Sequence, residues 1–226
     1  MVKFKVLLLH EWRLLMREPR FVLLLLLPSF LLLGVRLLNA ESFLQLPLDF
    51  IKFLLLLLGA MNSTMTFPFA ADAFAGERER NTLELLQVAP VSPKTIFFAK
   101  LMTILPFAVF GAVLAQIVFL FMCKAIPGMI IFMAFLGAIS FALLFNGLTL
   151  LLSLRSKTVR AATQTAALIS LPFYFLIQAF YKPFFSCLEI PLAILIFSIL
   201  FLAVSGSSAL TSMISFILMV SCWISS

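Results

Sequence analysis

Asp72–Lys100 reads DAFAGERERNTLELLQVAPVSPKTIFFAK, the longest run in the chain suited to water. Three of the nine acids, Glu77, Glu79 and Glu84, fall within eight residues and alternate with Arg78 and Arg80. Apolar stretches long enough to cross a bilayer lie on both sides. A charged island between two such stretches is where a membrane protein meets a soluble partner. Asn81 with Glu84 three residues later resembles a capping box, which predicts a short helix over 82–88 presenting Leu83, Leu86 and Gln87. Pro90 stops it, since the residue before a proline is pushed out of the helical region. Ser92 and Pro93 then read as the N-cap and first position of the next helix.

Composition agrees with that placement. Hydrophobic residues make up 64% of the 226 and charged residues 11%, against about 25% charged in soluble domains. So few charges cannot cover a soluble surface, and the fold class is an all-α membrane protein. The apolar runs are continuous rather than alternating, which excludes a membrane barrel. The net charge of +7 does not point to nucleic acid, because the basic residues sit beside apolar spans, where they set orientation. Cys123, Cys187 and Cys222 have no metal spacing, and His10 is the only histidine.

Working outward, the chain reads as one transmembrane domain, 1–226. Residues 1–20 form an amphipathic interfacial helix: Lys3, His10, Arg13 and Arg17 on one stripe, Phe4, Leu8, Trp12 and Leu15 on the other. An ordinary basic flank is the alternative. The apolar stretch after it is too long for a signal-peptide core, so it reads as an uncleaved anchor. Six spans are expected at about 21–38, 49–71, 93–122, 129–152, 162–181 and 191–223. Pro28, Pro106 and Pro172 are expected to bend or break theirs, and Gly137 and Gly147 to allow close helix approach. The last run exceeds the ~20 residues a bilayer needs and is either one long tilted helix or a re-entrant piece and a span. Twelve Lys and Arg fall on the side of the charged island against four on the other, which places the island and both termini in the cytoplasm.

Asn62, Ser63 and Thr66 cluster in the second span, with Asn146 in the fourth and Gln164 at the start of the fifth. Polar groups at that depth either bond to neighbouring helices or line a substrate path. No phosphate loop G-x-x-x-x-G-K-[ST] occurs, nor G-x-S-x-G or H-E-x-x-H. No catalytic residue and no metal ligand is assigned. Helical spacing favours ion pairs Glu77–Arg80 and Arg80–Glu84. Coupled carriers use ionisable groups at mid-membrane depth; the spans lack them, so energy is expected from outside the chain. Ser153–Ala161, with Arg155, Lys157 and Arg160, reads as a basic flank.

Glu77-x-Glu79-x-x-Thr82-x-Glu84-x-Leu86, then Pro90-Val91-Ser92 and Lys100, with Asp72 ahead, resembles the cytoplasmic coupling segment of type 2 ABC-transporter permeases. The likeness covers about thirty residues; beyond them only length and span pattern agree. It implies the membrane subunit of an ABC exporter in the cytoplasmic membrane. It also implies a separate ATP-binding subunit that uses ATP and Mg, and a homodimer or a heterodimer with a related permease. Coupling segment 72–92 would meet that subunit through Glu77, Glu79, Asn81, Thr82, Leu83, Glu84, Leu86, Pro90 and Ser92. No cofactor is expected on this chain, and lipid is its other contact. The 27 Phe suit an apolar or amphipathic cargo. The alternative is a membrane scaffold that binds a soluble partner through 72–100 without transport.

Overall fold

The computed structural model describes residues 9, 12–13, 19–38, 46–82, 93–123, 126–186 and 188–203. Among these it is helical throughout. Helices run over Pro19–Leu38 (α1), Leu48–Thr64 (α2), Phe67–Ala71 (α3) and Glu77–Glu79 (α4), with a π-helical turn, Asp72–Gly76, between the last two. Pro93–Met122 (α5), Gly128–Arg155 (α6) and Val159–Ser186 (α7) follow, then Glu189–Ala203 (α8). Three helices among the described residues are long and apolar enough to cross a membrane: Leu48–Met65, Lys94–Met122 and Gly128–Arg155. At 1.5 Å per residue the 30 residues of α5 reach about 45 Å, beyond a hydrocarbon core of ~30 Å.

The centre is α2 against α6, with α5 and α7 packed on both and α1 resting on α5. Side-chain size explains how they come so close. Ala60, Ala108, Ala112, Ala115, Ala134, Ala138 and Ala142 are fully buried, while Leu37 and Phe121 are 87% and 76% exposed. Small residues inside let backbones approach, and large apolar residues outside suit lipid. Gly59 is one contact of this kind: a Cβ there would lie 3.3 Å from the Ala138 Cα and Cβ. Gly137 and Gly147 instead make room for side chains of neighbouring helices, Leu56 with Phe184 and Leu202. At the N-terminal side the Trp12 ring sits 4.4 Å from that of Phe107 on α5.

Two local expectations change. Pro172 does not break its helix: α7 is continuous through it, as α1 and α5 are through Pro28 and Pro106. In a bundle of this kind neighbouring groups satisfy what proline frees. The second span is not one helix. It stops at Thr64 and restarts at Phe67, with Pro68 in the first turn of α3. Proline cannot extend the preceding ladder but fits a helix start. Of the last apolar run only residues to 203 are described, so its form beyond α8 lies outside them.

Candidate functional site

The described part of the charged island forms one end of the bundle, where α4 meets the start of α5, the end of α6 and the start of α7. Each side chain of the three-residue helix α4 reaches a different long helix. Glu77 Oε1 accepts from Lys100 Nζ of α5 at 2.7 Å. Arg78 donates to the carbonyl oxygens of Leu154, at 2.8 Å, and Ser156 at the end of α6. Those carbonyls have no partner within their own helix, and a cation suits the negative end of the helix dipole. Glu79 Oε1 accepts the Val159 N–H at 2.9 Å, so a carboxylate stands at the positive end of α7.

The Lys100–Glu77 pair is nearly out of solvent, its side chains 3% and 18% exposed. The ammonium also lies 5.5 Å from the centre of the Phe74 ring, within range of the ring's negative face. Arg80 turns back to Asp72, donating to both carboxylate oxygens at 3.0 and 3.1 Å. Gly76 makes room for that carboxylate: a Cβ there would fall 1.9 Å from Asp72 Oδ1.

Asn81 ends a helix here instead of starting one. Its φ is +56°, the left-handed conformation that Asn tolerates better than most residues. The Asn81 N–H bonds Arg78 O at 3.1 Å and the Thr82 N–H bonds Glu77 O at 2.9 Å, the Schellman pattern of a helix C-terminus. An N-cap typically has extended backbone, so Asn81 does not take the expected N-cap conformation; Glu84 and the rest of the expected helix lie outside the described residues. Among the described residues Arg80 pairs with Asp72 and Glu77 with Lys100 rather than with each other; the expected Arg80–Glu84 pair includes a residue outside them. Glu77 and Glu79 therefore hold the segment to its own bundle. Leu83, Glu84, Leu86, Pro90 and Ser92 lie outside the described residues.

Four of the five polar residues singled out in the spans bond within the bundle. Thr66 Oγ1 donates to Asn146 Oδ1 at 2.6 Å, and Asn146 Nδ2 donates to Ala142 O at 3.0 Å. Ser63 donates back to Gly59 O at 2.8 Å, and Asn62 Nδ2 ties α2 to Gly111 O of α5 at 2.7 Å. All four side chains are buried. Gln164 is not with them; it is exposed on α7.

Sequence reasoning missed three groups. Gln116 donates from α5 to Leu55 O and Ala134 O, joining three helices. Arg78 was read only as a neighbour of the acids. Ser153, read as part of a basic flank, is buried against the π turn. Gly76, one turn after Asp72, was the signal available for that turn.

The profile of the family described as ABC-2 type transporter matches residues 2–185. The chain belongs to that family. It is a multi-pass membrane protein and the membrane component of an ABC transporter. No curated protein matches the chain. Within this ABC-2 chain, Asp72–Thr82 is the place where charge, backbone irregularity and contact with three long helices coincide.

Proposed function

We propose that this permease is driven by a separate ATP-binding subunit docked at the charged end, on segment 72–92, and that it exports an apolar or amphipathic cargo. The observation that carries this is the division of labour in α4: Glu77, Arg78 and Glu79 each grip a different helix. A push on the segment then moves α5, α6 and α7 together, as a rigid-body switch at an interface. ATP and Mg act in the partner. The exposed Arg80, Asn81 and Thr82, with Leu83, Glu84, Leu86, Pro90 and Ser92 beyond them, form the docking face. A second copy or a related chain completes the membrane core, and exposed Gln164 faces outward where such a copy would bring it a partner. The twelve-to-four charge bias supports a cytoplasmic position for this end and both termini.

The test is copurification from membranes with the ATP-binding subunit. The reading predicts that Glu84→Lys with Leu86→Asp abolishes the complex while the chain stays in the membrane. An intact complex from that variant refutes the docking assignment.

A further inference from the structure

The second span reaches α4 through a break in its backbone ladder, and a side chain from another helix fills the break. Ser153 Oγ of α6 donates to Ala71 O at 2.7 Å and accepts the N–H groups of Phe74 at 3.1 Å and Ala75 at 2.9 Å. A serine hydroxyl has one donor and two acceptor sites, so all of its capacity is engaged. In an unbroken α-helix the Ala75 N–H would bond Ala71 O directly. The hydroxyl stands between them instead, and Asp72–Gly76 takes the wider π-helical form. Small neighbours leave space for this, with Ala71, Ala75 and Ala162 packed in one cluster.

Angular register follows from the bridge. One residue of an α-helix is about 100° of rotation. A π turn accommodates one residue more than an α turn, so its presence decides where the side chains after Gly76 point. With the bridge in place Glu77 meets Lys100 and Glu79 meets Val159. With a direct Ala75-to-Ala71 bond both carboxylates would swing away from their helices.

We propose that Ser153 is a positioning residue for energy coupling: its hydroxyl holds the π turn open, aims Glu77 and Glu79 at α5 and α7, and fastens the base of the second span to α6. This rests on the reading of 72–92 as the coupling segment.

The test uses the full-length chain, with Cys123, Cys187 and Cys222 replaced by serine, in phosphatidylethanolamine and phosphatidylglycerol vesicles with its ATP-binding subunit. A short thiol crosslinker joins Glu79→Cys to Val159→Cys. The control pair is Phe53→Cys with Tyr181→Cys, at the ends of α2 and α7 away from the turn, where the native rings lie 5.7 Å apart. Ser153→Ala is expected to abolish the 79–159 crosslink and spare the control. On the chain without crosslinking cysteines it should lower the stimulation of Mg-ATP hydrolysis roughly tenfold, the scale of one lost buried hydrogen-bonding group. Ser153→Cys, nearly the same size but a weaker hydrogen-bonding group, should fall between. Unchanged crosslinking in Ser153→Ala overturns the inference, as does loss of both crosslinks in that variant, which would mean general unfolding. If the parent chain stimulates hydrolysis and Ser153→Ala does so equally, Ser153 has no part in coupling. A parent chain that leaves hydrolysis unchanged removes the coupling reading itself, and this inference with it.

Discussion

Removing the charge of Lys100 is expected to damage the chain more than removing both charges of its pair. The two side chains are 3% and 18% exposed and 2.7 Å apart, with the Phe74 ring against the ammonium. Lys100→Met leaves the Glu77 carboxylate without its cation in a poorly hydrated place. Breaking a buried pair from one side costs about 3–5 kcal/mol, whereas replacing both partners with neutral groups of similar volume is close to neutral. For a chain of this length 1 kcal/mol moves a thermal midpoint by about 2–4 °C. A 3 kcal/mol loss therefore lowers it by about 6–12 °C. Glu77→Gln in the Lys100→Met background should restore most of that. The assay is the midpoint of heat-induced aggregation in detergent for the parent, both single variants and the double variant. A Lys100→Met midpoint within about 2 °C of the parent, or a double variant as low as the sum of the singles, would refute the reasoning.

Three further outcomes follow from the geometry. Gly76→Ala places a methyl 1.9 Å from Asp72 Oδ1 and should lower the midpoint, while adding Asp72→Ala should recover part of it; a further fall in the double variant would contradict the contact. Thr66→Val strands the buried Oδ1 of Asn146, a loss of about 1–3 kcal/mol. Asn146→Leu added to it should be milder than the two single losses summed, which the same midpoints report. Burial pushes the Cys123 thiol up from its ordinary value, so with Cys187 and Cys222 replaced by serine, maleimide labelling should be slow at pH 7 and quicken as pH rises.

The fold class was open to reading because it depends on averages. A 64% hydrophobic chain with continuous apolar runs leaves only a helical membrane bundle. The site was harder, because its partners are remote in sequence. Glu77 and Glu79 invited pairing with Arg78 and Arg80 beside them, but their partners come from 23 and 80 residues away. Asn81 was misread because one residue type serves two ends. Its side chain suits an N-cap, and its backbone tolerates the left-handed position after a C-cap. Nothing in Ser153 alone announces that it bridges another helix's ladder. The polar residues of the second span were correctly seen as a cluster, yet clustering does not distinguish a packing layer from a path.

Hydrolysis by the ATP-binding subunit, measured in lipid vesicles with and without this chain, tests the central claim most directly. The account predicts that the rate changes when the chain is present and returns to the isolated subunit's value when Glu84→Lys with Leu86→Asp removes docking. A stable complex whose hydrolysis rate equals that of the isolated subunit would contradict it, and would leave a membrane scaffold in place of a transporter.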